Sequence, residues 1–251
     1  MCRLNWEIYY LPVALVIWSS AAFIISFIIA VCNGHVVPFV PFISDTGTIP
    51  PESCVFGIMI NFSAFLGAFT MSVRYKMLQT LNEANPSISS CENTTALVFG
   101  LLGCLGMFIV ANFQETAVRS VHDIGALLTF GMGTIYLIFQ TWISYKMLLL
   151  CNNRCEVLSK AVLTAVSVIA FIIMFTCYIL SGQSKFNWDP TDKGYGYHVA
   201  SAVCEWIVAF CFNFFFLTFI REFQKFTLSI KMEIIDDFQD ELRIPILSGQ
   251  R

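Results

Sequence analysis

Residues 109–145 read IVANFQETAVRSVHDIGALLTFGMGTIYLIFQTWISY, and their reading decides the fold. One apolar run ends at Ala111–Phe113, a short polar turn follows, and a second run starts from His122–Asp123. Two long hydrophobic segments joined by so few polar residues predict an antiparallel pair of membrane helices. Two further apolar runs lie on each side of this pair, so the polar turn is where ionisable groups meet the membrane.

Composition agrees with that reading. The 251 residues are 57% hydrophobic and 12% charged, with a mean hydropathy of +0.72, whereas a soluble domain carries about 25% charged residues. Six apolar blocks stand at roughly 9–32, 54–76, 95–113, 121–146, 158–181 and 198–220. Each covers about 19 to 26 residues, enough at ~1.5 Å per residue to cross a ~30 Å hydrocarbon core. Alternation is absent and the runs are too long for barrel strands. The expected fold is all-α: a polytopic membrane protein with a six-transmembrane helix bundle over 1–231. The first block is too long for a signal peptide, and no small-x-small cleavage site follows it. The net charge of −3 and the lack of a basic patch argue against nucleic acid as a partner.

Positive charge sets the orientation. Eleven of the fourteen Lys and Arg residues fall on the side of the two termini, and Arg119, Lys185 and Lys193 fall on the other. Both termini are therefore expected in the cytosol, with the loops at 33–53, 114–120 and 182–197 outside or in a lumen. The sequon Asn93-Thr94-Thr95 then lies on the cytosolic side, where it is not glycosylated.

The first lumenal loop holds Pro38, Pro41, Pro50, Pro51 and Gly47, which forbid a regular helix. Its Asp45-Thr46-Gly47 copies the aspartic-protease tripeptide, but that chemistry needs a second carboxylate sharing a proton. The triplet is read as a turn, with an Asx-type hydrogen bond from Asp45. Cys32 and Cys54 bracket the loop, where the compartment permits a disulfide. Cys151 and Cys155 follow the fourth span and suit juxtamembrane palmitoylation or stand as free thiols. Cys104, Cys177, Cys204 and Cys211 lie within spans as small apolar packers.

Polar residues at membrane depth supply the candidate site. Glu205 sits about two turns into the sixth span, where a lone carboxylate costs a few kcal/mol unless paired, protonated or facing water. His122 and Asp123 open the fourth span, with Arg119 one turn before, and His198 opens the sixth. All three histidines, His35, His122 and His198, fall at lumenal span ends. Three readings stay open: interfacial polar groups with one helix–helix hydrogen bond, a pH-sensing cluster pairing imidazoles with Asp123 or Glu205, and a three-histidine metal site. Nothing in the sequence brings the histidines together, so neither metal nor cofactor is expected.

Gly100, Gly103 and Gly106 in span three and Gly125, Thr129 and Gly133 in span four predict a close approach of these two helices. Tyr75-Lys-Met-Leu and Tyr145-Lys-Met-Leu fit a sorting pattern, and fit better as aromatic and snorkelling anchors at the headgroup level. Phe223, Phe226, Ile230 and Ile234 keep near-helical spacing and predict a juxtamembrane amphipathic helix after span six. Residues 232–251 form an acidic, flexible tail, with Asp236, Asp237, Asp240 and Glu241 before Pro245.

The blocks SSAAFIISF (19–27), FISDTGTIPPES (42–53), MINFSAFLGA (59–68), IVANFQE (109–115), HDIGALLTFG (122–131), YHVASAVCEW (197–206) and FLTFIREFQKFTL (216–228) resemble the DRAM family. These are the damage-regulated autophagy modulators of the wider Frag1/DRAM/Sfk1 group. The resemblance covers nearly the whole chain, while residues 77–95 and those beyond Lys231 depart from it. It implies a multi-pass protein of the lysosomal membrane that promotes macroautophagy and damage-linked, p53-dependent apoptosis. The expected partners are the lipid bilayer and unidentified autophagy or lysosomal membrane proteins. The family carries no catalytic motif to transfer, so a non-enzymatic modulator is expected. Lipid handling or transport around Glu205 is the alternative.

Overall fold

Six helices carry the apolar blocks, and each is long and apolar enough to cross a membrane. The computed structural model describes residues 3–84, 89–148, 153–182 and 188–231. Helix α1 spans Tyr10–Cys32, α2 Glu52–Ala84 and α3 Ser90–Asn112. The fourth span comprises α4 (Arg119–Leu127), a π-helical turn (Leu128–Met132) and α5 (Gly133–Lys146). Helix α6 covers Arg154–Ser181, α7 Tyr195–Leu217, and the short α8 Ile220–Phe223. The start of α3 shows the local logic: Ser89 and Glu92 form a capping box, satisfying two backbone N–H groups at once. Asn153 caps α6 by accepting from the Cys155 N–H, and Gly182 ends it in a left-handed conformation.

Neighbouring spans pack in sequence, and α7 closes the ring against both α6 and α1. The expected approach of spans three and four is observed. A Cβ on Gly106 would lie 2.4 Å from the Thr129 backbone nitrogen, and one on Gly103 would lie 3.3 Å from that of Gly133. Polar side chains join other pairs. Asn213 of α7 accepts from Ser19 of α1 at 2.9 Å and donates to Ser20 at 3.1 Å. Thr141 and Thr164 share a hydrogen bond of 2.8 Å between α5 and α6. Such bonds hold helices together in a solvent where apolar contact alone gives little preference. The outward faces are apolar, with Ile17 at 67% and Ile58 at 71% exposure, as lipid contact requires.

The segment after span six differs from expectation. Helix stops at Phe223, and Thr227–Lys231 forms a strand (β2) antiparallel to Arg3–Glu7 (β1), with Arg3 opposite Lys231 and Glu7 opposite Thr227. The aromatic residues that gave the helical spacing turn inward instead: Phe223 is fully buried and Phe226 packs against the same core. The β-branched Thr227 then suits a strand whose backbone is paired with the N-terminal segment. The pairing puts both described chain ends at one end of the bundle, as an even number of spans requires; we call it the terminal end and the opposite one the loop end. The proposed acidic tail, 232–251, lies outside the described residues.

Two motif readings resolve at the terminal end. Leu78 is 1% and Met77 4% exposed, so Tyr75-Lys-Met-Leu has no free apolar residue for a sorting receptor. Asn93 is 4% exposed and donates to the Tyr75 carbonyl at 3.0 Å, which shuts the sequon away.

Candidate functional site

The loop between α1 and α2 does not lie over the bundle but folds into it. Asp45–Gly47 forms a short 3-10 turn, with Thr46 fully buried and its hydroxyl donating to the Ile43 carbonyl at 2.7 Å. Consecutive residues of α7 grip this loop: the Ile43 N–H donates to Glu205 Oε2 at 2.6 Å, and the Trp206 indole N–H donates to the Pro41 carbonyl at 2.8 Å. Glu52, the first residue of α2, is fully buried and takes His35 and Asn33 from the end of α1. The turn expected at Asp45 is present, held by the Thr46 hydroxyl and by the Gly47 and Thr48 N–H groups, while the Asp45 carboxyl feels the charge of Glu115.

Three carboxyls lie within electrostatic reach of one another at the loop end: Asp45 on the inserted loop, Glu115 on the turn before α4, and Glu205 on α7. Burial, and then the charges of Glu115 and Glu205, hold the Asp45 pKa well above the usual carboxylate range. Arg119 serves Glu115 at 3.1 Å and Asp123 at 3.8 Å, and its guanidinium donates to the Tyr178 hydroxyl at 3.1 Å. Tyr178 in turn donates to Asp123 at 3.0 Å, joining α4 to α6.

Beside these groups opens a cavity of about 230 Å³, walled by Leu127, Phe130, Phe171, Met174 and Phe175, with Glu115, His122, Asp123 and Glu205 at its polar end. A second space of about 110 Å³ adjoins it deeper in the bundle, sharing Ser44, His122, Ala126, Phe130 and Glu205. The π-helical turn passes between them. Its Phe130 lines both spaces, and π-helical turns are frequent at functional sites.

Of the residues singled out in the sequence, Glu205, His122 and Asp123 line one cavity, and Arg119 bonds its rim. His198 does not join them. Its ring stacks on Trp188 at 4.7 Å and meets Phe42 edge-on at 5.1 Å, on the other side of the inserted loop. The imidazole–carboxylate pairing weighed for a pH sensor is not formed: His122 Nδ1 bonds the Phe113 carbonyl at 2.8 Å, and His35 alone meets a carboxylate, Glu52. Among the described residues no three His, Cys, Asp or Glu side chains converge as metal ligands. Cys32 and Cys54, weighed as a bridge, are exposed free thiols at the end of α1 and the start of α2. Cys155 is an exposed free thiol, while Cys151 lies outside the described residues.

A second constellation, at the terminal end, was not singled out at all. Arg74 of α2 and Lys160 of α6 both pair with Glu222 of α8, with side chains 0%, 0% and 3% exposed. Ser144 and Gln140 of α5 accept from Lys160 and Arg74, and both cations lie over the Phe219 ring at 5.1 and 4.9 Å. From sequence these three read as ordinary flanking charges. The available signal was that α2 and α6 are longer than a membrane crossing needs, which leaves Arg74 and Lys160 on helical faces rather than in loops.

Comparison with known proteins gives consistent likenesses. Residues 7–226 match the family described as Frag1/DRAM/Sfk1/Cwh43P N-terminal domain. The chain is 53% identical over 229 residues to the DNA damage-regulated autophagy modulator protein 1 of Mus musculus, covering 91% of this chain and 96% of that protein. Identity to the Homo sapiens protein of the same name is 54% over 228 residues, with the same coverage of 91% and 96%. The modulator of macroautophagy TMEM150B-A of Xenopus laevis is 33% identical over 206 residues, 81% of each chain. No solved structure matches.

Proposed function

This chain belongs to the Frag1/DRAM/Sfk1 family, and from that premise we propose that it promotes macroautophagy as a non-enzymatic regulator in the lysosomal membrane. We extend the proposal to damage-linked, p53-dependent apoptosis, as the family resemblance implies. The single observation that carries the reading is the near full-length likeness to relatives named for modulation of autophagy. The polar chemistry fits a regulator: Arg74, Lys160 and Glu222 fasten helices together, and Glu205 holds the inserted loop. In the proposed orientation the terminal end faces the cytosol, supported by its excess of Lys and Arg. Contacts with autophagy or lysosomal membrane proteins would be made there.

A second reading, lipid handling or transport, draws its support from the cavity at Glu205. One experiment separates the two. Cells lacking the chain are supplied with wild type or Glu205→Gln at matched expression and targeting, and autophagic flux is measured. Full rescue by the variant supports the scaffold reading; failure with correct folding and placement supports a working site in the membrane.

A further inference from the structure

We propose that the cavity between α4, α6 and α7 binds a long-chain amine: a single-chain amphiphile whose ammonium head meets Glu205 while its hydrocarbon chain passes sideways into the bilayer. The inference deepens the lipid-handling reading and rests on it. The mouth of the cavity is lateral. Ile124 and Leu127 of α4 and Phe175 of α6 line it and are 57%, 44% and 42% exposed, the exposure that meets lipid on a membrane helix. Towards the loop end the same seam is closed by the Tyr178 hydroxyl, which bridges Asp123 and Arg119. An occupant therefore enters from the bilayer, which selects a molecule with a hydrocarbon chain.

The head is selected by charge. Glu205 is 6% exposed and lines the cavity; one of its oxygens accepts from Ile43, and the other has no hydrogen-bond partner among the described residues. Leaving such an oxygen in an apolar space is costly. The groups around it are Asp45, Glu115, Asp123, His122 and Arg119. Among the described residues the salt-bridging cation there, Arg119, is committed to Glu115, Asp123 and Tyr178. Even with Asp45 protonated, the described residues of the polar end set the carboxyls of Glu115, Asp123 and Glu205 against one guanidinium. An ammonium would supply the missing charge-assisted hydrogen bond with the Phe130 ring beside it. A carboxylate or phosphate head would be repelled by the same residues. A space of about 230 Å³ takes the head and the first carbons, leaving the remaining chain in the membrane.

The test uses the full chain in phosphatidylcholine nanodiscs, with radiolabelled octadecylamine as probe and empty nanodiscs as baseline. Octadecanol and stearate, which share the chain and differ only in the head, serve as competitors. Saturable binding of octadecylamine that neither competitor displaces is expected. Glu205→Gln is expected to weaken it by about tenfold or more, and Leu127→Trp, which narrows the mouth at an exposed position, to weaken it too. Displacement by octadecanol would overturn the amine head while leaving the lipid-handling reading in place. Absence of saturable binding by any of the three amphiphiles, with octadecanol and stearate radiolabelled in turn, would overturn both. Wild-type binding by folded Leu127→Trp would overturn the location, even if Glu205→Gln proved unstable.

Discussion

Arg74 of α2 and Glu222 of α8 stand 148 positions apart in the chain and meet as a buried ion pair. Lys160 of α6 completes the arrangement from the opposite side of the carboxylate. One carboxylate thereby ties α2, α6 and the chain segment after span six, and two cations depend on it. Buried pairs of this kind give little net stability when complete, but removing one partner leaves an uncompensated charge.

Glu222→Gln is therefore expected to cost about 3–5 kcal/mol, because both Arg74 and Lys160 lose their counter-charge. Thermal unfolding of the detergent-solubilised protein measures this as a lower Tm. Glu83→Gln, at an exposed position, should stay within about 0.5 kcal/mol of wild type. Equal behaviour of the two variants would show that the pairing does not hold the terminal end.

Gly106→Ala tests the contact between spans three and four. The added Cβ would lie 2.4 Å from the Thr129 nitrogen and 2.6 Å from the Gly125 carbonyl oxygen. Both are backbone atoms, so the helices must separate, at about 1–3 kcal/mol. Gly131→Ala meets nothing closer than the edge of the Phe171 ring at 3.5 Å and is expected to unfold like wild type. The difference between these two melting temperatures is the quantity to read.

Acidity should stabilise the inserted loop. The Asp45 pKa is raised well above its ordinary value of 3.8 by burial and by Glu115 and Glu205. Between those two values the folded chain keeps a proton that the unfolded chain has released. The stabilisation is fully present below the ordinary value and is lost as pH rises towards the raised one, at ~1.4 kcal/mol per pH unit. Melting temperatures across that window should fall with rising pH, and Asp45→Asn should flatten the slope. A wild-type slope retained in Asp45→Asn would assign the effect to another group.

The proposed orientation is tested by glycosylation acceptors inserted at each end. One placed after Lys193, at the loop end, should be modified, and one placed after Asn153, at the terminal end, should not. Native Asn93 should stay unmodified, being buried and, in the proposed orientation, on the cytosolic side. The reverse pattern at the inserted acceptors would invert the bundle.

The helices were legible because each apolar block is long enough to declare itself without tertiary information. The glycines of spans three and four likewise predicted their partner, since small residues at helical spacing have one simple use. What stayed hidden depends on long-range contact. Nothing local shows that the Asp45 loop turns inward, because its prolines exclude helix without fixing where the loop rests. Arg74, Lys160 and Glu222 look individually like membrane-flanking charges, and only the fold shows that they share one pocket. The pairing of Arg3–Glu7 with Thr227–Lys231 joins the two ends of the described chain, and five-residue segments carry too weak a local signal to announce such a partner. The phenylalanine spacing there was real, but its purpose was to fill the core beneath Arg74.

The central claim is that the chain promotes macroautophagy from the lysosomal membrane, and flux in cells lacking it is the most direct measurement. Degradation of a long-lived cytosolic reporter would be followed with and without blockade of lysosomal acidification, before and after wild-type protein is restored at native levels. Flux is expected to fall on loss and to return on restoration, with the protein on lysosomes. Unchanged flux after loss, or restoration by protein held away from lysosomes, would contradict it.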